Sequence, residues 1–364
     1  MPGAGGLSRL GGPVLPGVAL AVLREIVAAD RGPDLADNVD PIRFPDGYGG
    51  PPPEQAAHRL ADLLEQSPGL ETLFHRLEVP GDRELLARVL AFRVLGNRKV
   101  QLPMTLDRLL ELRRRAHAAR TATATAPIGI FGWYADDYDL AGLGYPIRAR
   151  IHEGGVVAVF GVEQYRCTGA FEVAVHPGDV VIDGGACWGD TALYFAHLAG
   201  SAGRVVGFEF EPGNLELLRH NLGLNPQLAG RISVVGAALS DRAGRQVAFR
   251  SFGPGTALDP AGEGSVGTET IDGLLERGEV DRVDFIKLDI EGAELSALRG
   301  AENTLRRFRP SLAIAAYHRD DDLAAIPAYL IGLGLGYRFR LRHTTMHSEE
   351  TMLFARANGE QPKP

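Results

Sequence analysis

The chain has little cysteine. Cys167 and Cys187 are the two in 364 residues, too far apart for a C-x-x-C pair. That excludes a disulfide framework, a cysteine zinc site and a dithiol redox centre, and it fits a reducing, cytoplasmic setting. Surplus positive charge is also missing: 46 Asp and Glu against 38 Lys and Arg give a formal charge of -8. A nucleic-acid or anionic-membrane footprint needs a basic face, so neither partner is expected. Long apolar runs are scarce as well. The best candidate, residues 14–23, is broken by Pro16 and Gly17 and followed at once by Arg24 and Glu25. It is too short to span a bilayer and lacks a small-residue cleavage site, so it reads as a helix start.

What is present suits a soluble globular protein. Hydrophobic residues make up 45% of the chain, enough at this length to bury a core without staples. The size suggests one core domain with an extension. Residues 1–120 read as helical, with a Gly/Pro-rich beginning. Leu85, Leu86, Val89, Leu90 and Phe92 recur at helical spacing, and Gly96 ends the run. Thr105 is placed to cap a second helix carrying Leu106, Leu109 and Leu110, whose basic end Arg113–Arg115 suits the helix dipole. Residues 121–127, TATATAP, read as a linker between an accessory helical region and a domain spanning 128–364.

Beyond the linker, strands alternate with helices. Short apolar runs at 179–183, 204–210, 232–235, 283–288 and 311–317 are each followed by turn or helix signals. Such a pattern predicts a parallel, doubly wound sheet. Two last runs, 337–341 and 351–355, are joined by a loop and predict an antiparallel hairpin at one edge. Seven strands so arranged describe the α/β, Rossmann-like sheet of class I S-adenosylmethionine (SAM) methyltransferases.

Ligands of open α/β sheets bind beyond the carboxyl ends of the strands. The turn after the first strand reads Asp183-Gly-Gly-Ala-Cys-Trp-Gly-Asp-Thr191, with Gly185 and Gly189 spaced as D-x-G-x-x-x-G. It is not the G-x-G-x-x-G turn that sets a pyrophosphate on a helix N-terminus, which counts against an NAD(P)-dependent oxidoreductase. SAM has no phosphate. Its sulfonium and amino acid end call for carboxylates and carbonyls, and Asp183 and Asp190 supply charge. An acid closing the second strand can accept both ribose hydroxyls: Glu211 is the first choice and Glu209, two residues earlier on the same side, the second.

The segments VVIDGGACWGDTALYFA (180–196), FEP (210–212), AALSD (237–241) and VDFIKLDIEGAELSALRGA (283–301) resemble the FkbM family of SAM-dependent methyltransferases. The run K-x-D-x-E-G-A-E from Lys287 to Glu294 is the most specific of these. The likeness extends over residues 128–355 and is weaker upstream. It implies SAM as cofactor and methyl transfer to a hydroxyl of a sugar or polyketide-like product, free or carrier-bound, within secondary metabolism. By the same likeness Asp183, Gly185, Gly189, Asp190 and Thr191 would wrap the methionine end. Glu211 would hold the ribose, Ala238 and Leu239 would flank the adenine, and Asp289 would face the methyl group.

An alcohol acceptor must lose its proton, so a base or a metal is expected. His318, just past the fifth strand, is the candidate base, with Asp289 as the second catalytic residue. Asp289, Glu291 and His318 would alternatively hold Mg²⁺ or a similar ion. Gln164, Tyr165 and His343 are candidate acceptor contacts, while Glu294 and Lys287 read as structural. A non-catalytic SAM-binding module is the competing reading, and the intact glycine loop speaks against it.

Overall fold

The computed structural model describes residues 17–41, 43–44, 50–124 and 134–358. Its central sheet has seven strands: β1 Val180–Gly184, β2 Arg204–Phe208, β3 Ile232–Val235, β4 Phe285–Leu288, β5 Ser311–Ala315, β6 Tyr337–His343 and β7 Thr351–Ala357. Their order across the sheet is β6-β7-β5-β4-β1-β2-β3. Neighbours among β1 to β5 run parallel, and β7 is antiparallel to both β5 and β6. The expected edge hairpin is therefore present. Strand order reverses between β1 and β4, which opens a crevice at their carboxyl ends.

Alternation along the strands assigns side chains to two faces. Ile182, Val206, Phe208, Ile286, Leu288, Leu312 and Ile314 join one apolar cluster. Val181, Val205, Phe285, Ala313 and Ala315 join another. Both clusters continue into the helical region upstream. Leu70, Leu73, Leu86, Leu90 and Phe92 pack with the first face, and Leu109, Leu112 and Ala116 with the second. Gly69 marks how close the approach is: a Cβ there would lie 2.7 Å from that of Ala324, in the helix Asp322–Gly332.

Helix ends follow the expected chemistry. The helix Pro80–Leu95 stops at Gly96, whose φ of 78° lies in the left-handed region. Thr105 caps the helix Leu106–Ala119 by accepting from the Arg108 N–H at 3.3 Å. The helix runs on to Ala119, past the expected basic end at Arg113–Arg115, and Arg113 is paired with Asp40 at 3.0 Å. The proposed connector differs from expectation. Arg120–Ala122 form a strand paired with Asp136–Asp139, while residues 125–127 lie outside the described residues. Small β-branched residues next to a proline suit an edge strand as well as a linker, so composition alone does not separate the two.

A four-stranded second sheet is an addition to the expected architecture. It joins Ala238–Leu239, Gln246–Arg250, Ala257–Leu258 and Gly264–Glu269 beyond β3. These strands are short and, apart from the buried Ala238–Leu239, largely half-exposed, so their apolar periodicity is weak. Among the described residues no helix is long and apolar enough to cross a membrane.

Candidate active site

The glycine turn after β1 is held from beneath by a buried lysine. Parallel pairing sets Lys287 of β4 directly beside Asp183 of β1. Its ammonium lies 3.2 Å from the Asp183 carboxylate and donates to the carbonyls of Gly184 and Gly185 at 2.9 and 2.7 Å. Thr191 Oγ1 donates to the other Asp183 oxygen at 2.7 Å. Asp183 and Thr191 thus shape the turn from behind instead of facing a ligand. Gly189 has a φ of 81° and packs against Leu218. Asp190, which burial pushes up to about 6, lies beside Gly155.

In front of the turn is a cavity with about 540 Å³ of empty space, some of it open to solvent. Gly185, Glu209, Ala238, Leu239 and Asp289 line it, joined by Phe210, Leu258 and Cys187. Of the residues expected at the cofactor, Gly185, Ala238, Leu239 and Asp289 reach this wall. Asp183, Gly189, Asp190 and Thr191 stand behind it. Gly185 has a φ of 80°, and a Cβ there would lie 2.0 Å from the Asp289 carbonyl oxygen. Only glycine fits.

Of the two acids expected at the second strand, Glu209 lines the cavity and Glu211 does not. β2 ends at Phe208, so Glu209 is the first residue past the strand. Its Oε1 accepts from the N–H groups of Phe210 and Glu211, both at 2.7 Å. Burial pushes its carboxyl up to about 7, against those hydrogen bonds. Glu211 instead caps the helix Pro212–Leu224, accepting from the Asn214 N–H at 2.6 Å and from Ser251 Oγ at 2.8 Å. The apolar run 204–210 outlasts the strand by two residues, and the acid at the cavity wall is the one two residues earlier.

Beyond β4 and β5 lies a cluster of acids around one imidazole. Asp289 accepts from the hydroxyls of Tyr165 at 2.7 Å and Tyr317 at 3.3 Å. Tyr317 also reaches Glu350 at 3.3 Å, and Gln164 Nε2 donates to Glu350 at 2.8 Å. Glu350 is pushed up to about 8 by burial and by Asp289. His318 holds Glu294 through Nδ1 at 2.8 Å, and its Nε2 is 3.5 Å from both Asp289 and Glu291.

This arrangement speaks against His318 as the base. Burial alone would keep His318 neutral, but the carboxylates of Glu291 and Glu294 beside its two nitrogens, with the nearby Asp289 charge, push its pKa up to about 11. A ring that is already protonated near neutrality takes no proton from an acceptor. Glu294, fully buried, is structural as expected: it also accepts the Ile290 N–H at 2.8 Å. Gln164 and Tyr165 are buried partners of the acid cluster. His343 is not at the cavity. It is buried in the edge hairpin between Thr351 and Thr345, and burial lowers it to about 4. Sequence offered no sign of Tyr317 as a ligand of Asp289, because strand spacing does not tell which chain crosses above a strand end.

Comparison with known proteins supports a family. Residues 172–339 match the model of the methyltransferase FkbM domain. No curated protein matches the chain. Among solved structures, a methyltransferase FkbM from Methylobacillus flagellatus is 22% identical with a TM-score of 0.53, covering 82% of this chain. The chain spans 61% of that protein's length. A SAM-dependent O-methyltransferase from Thermotoga maritima is 14% identical with a TM-score of 0.35, over 57% of this chain and 73% of that one. The fold is that of the class I methyltransferases, a Rossmann-like sheet preceded by a helical region. Residues 172–339 therefore carry an FkbM methyltransferase domain.

Proposed function

We propose that the chain transfers a methyl group from SAM to a hydroxyl of a small acceptor. The acceptor is a sugar or polyketide-like molecule, free or tethered to a carrier protein. The observation that carries this reading is the cavity at the switch point of the sheet, with the Glu209 carboxylate set beside an apolar slot. Glu209 would accept the ribose hydroxyls, which are donors that satisfy a buried acid. Ala238, Leu239, Phe210 and Leu258 would enclose the adenine. Asp289 would face the positively charged end of the cofactor.

SAM supplies an electrophilic methyl group bonded to a sulfonium. The protein contributes alignment of the acceptor oxygen with that methyl group. Asp289, oriented by the Tyr165 and Tyr317 hydroxyls, is the carboxylate placed to receive the acceptor's hydroxyl. Calorimetric titration with SAM, S-adenosylhomocysteine and NADH tests the cofactor, and labelled methyl transfer across a panel of hydroxylated acceptors tests the reaction. SAM binding in the micromolar range with no NADH binding is expected. Failure to bind SAM, or tighter binding of NADH, would sink the reading.

A further inference from the structure

We propose that Asp289, Glu291 and His318 form a divalent-cation site at the mouth of the cavity, with Glu294 as the residue that orients His318. Its open positions would take the acceptor hydroxyl, so this role rests on the methyl-transfer reading. Each of the three residues offers one ligand atom, and the three atoms lie within 4.8 Å of one another. A cation with bonds of about 2.1 Å places its ligand atoms roughly 3 to 4.2 Å apart, so little closure is required.

A cluster of carboxylates alone would prove nothing. The imidazole adds an independent observation. The His318 side chain is 7% exposed, and its Nε2 is buried with no hydrogen-bond partner, although it points between Asp289 and Glu291. Its other nitrogen is fixed by the fully buried Glu294 at 2.8 Å. This is the carboxylate–histidine arrangement that sets tautomer and ring angle at metal centres, and a cation bound there would take the place of the Nε2 proton that the same carboxylates otherwise favour. Asp289 is oriented in the same way by the two tyrosine hydroxyls. Glu291 holds a φ of 54°, and a non-glycine residue kept in that region points to a constraint on where its carboxylate goes. The two carboxylates suit Mg²⁺ and Mn²⁺ alike, and the one imidazole favours the transition ion Mn²⁺.

The test uses the full chain, stripped with chelator and titrated with Mn²⁺, following the free-ion signal by electron paramagnetic resonance. SAM binding is measured by calorimetry on the same sample. Uptake of one Mn²⁺ per chain is expected, weakened at least about tenfold by Glu291→Gln and about 10- to 100-fold by Glu294→Gln. Glu291 is partly exposed, so its variant should fold, and circular dichroism melts verify this for both. Absence of Mn²⁺ uptake by the parent, or equal uptake by Glu291→Gln, overturns the site. SAM binding without Mn²⁺ binding overturns the cation site alone. Mn²⁺ binding without SAM binding upholds the site and overturns the methyl-transfer reading.

Discussion

Lys287 and Asp183 are joined across two parallel strands in a dry position, 1% and 0% exposed, with the ammonium also holding two carbonyls of the glycine turn. The pair therefore couples the shape of the turn to the fourth strand. Removing one partner leaves a buried charge uncompensated. Asp183→Ala should destabilise the protein by about 3–5 kcal/mol, read by urea unfolding. A loss below about 1 kcal/mol would mean that water reaches the lysine.

Glu209 and Glu211 should separate cleanly by experiment. Glu209→Ala is expected to weaken SAM about tenfold or more, since a charge-assisted hydrogen bond is worth roughly 1.5–3 kcal/mol. Glu211→Ala removes a helix cap and should instead cost about 0.5–2 kcal/mol of stability. Calorimetry and unfolding on both variants decide. The reverse pattern would return the ribose to Glu211.

Much of the sheet was legible because buried strands of four or five residues leave short apolar runs such as VVI at 180–182 and LAIAA at 312–316. The glycine turn could be read because Gly185 is a steric necessity. What could not be read is direction. Asp183, Thr191 and Glu211 stand in the right segments, but their carboxylates and hydroxyl serve the turn and a helix cap. Strand ends shift by residues, and each shift exchanges a facing side chain for a hidden one. Tyr165 and Glu350 meet Asp289 from distant parts of the chain, a convergence that local periodicity does not encode.

Glu209 also predicts a pH dependence. With its carboxyl at about 7, SAM affinity should rise as pH passes upward through 7, when the acid ionises and can accept from the ribose. For folding the sign is opposite. A carboxyl raised above its ordinary value of 4.5 contributes stability fully below about 4.5, and this is lost as pH rises through 7. Calorimetry from about pH 6 to 8 should show the affinity trend in the parent and its absence in Glu209→Gln. A flat parental profile would place the ionisation elsewhere.

Gly185 can be tested against a glycine that has room. Gly178 has a φ of 92° and nothing within 4 Å of an added Cβ, so Gly178→Ala should cost only the backbone strain, about 1–2 kcal/mol. Gly185→Ala adds a collision with the Asp289 carbonyl at 2.0 Å. It should cost clearly more and displace the turn from Asp289, with SAM binding lost as well. Equal costs in urea unfolding would show that the turn moves freely.

The division between helical region and sheet domain is testable through Asp82 and Arg340. Asp82, near the start of the helix Pro80–Leu95, accepts from Arg340 Nε of β6 at 2.6 Å and from the Leu341 N–H at 3.1 Å. Both side chains are at most 10% exposed. A contact of this kind, set in the apolar cluster shared by both regions, does not behave like a surface ion pair. Asp82→Ala should strand a buried guanidinium and cost about 3–5 kcal/mol. It should also lower the single unfolding transition of the whole chain, because the helices and the sheet share one core. Two-probe unfolding distinguishes the alternatives. If near- and far-ultraviolet circular dichroism change together in parent and variant, the regions form one cooperative unit. If Asp82→Ala lowers an early transition and leaves a later one in place, the helical region is the separable accessory body that its sequence suggests.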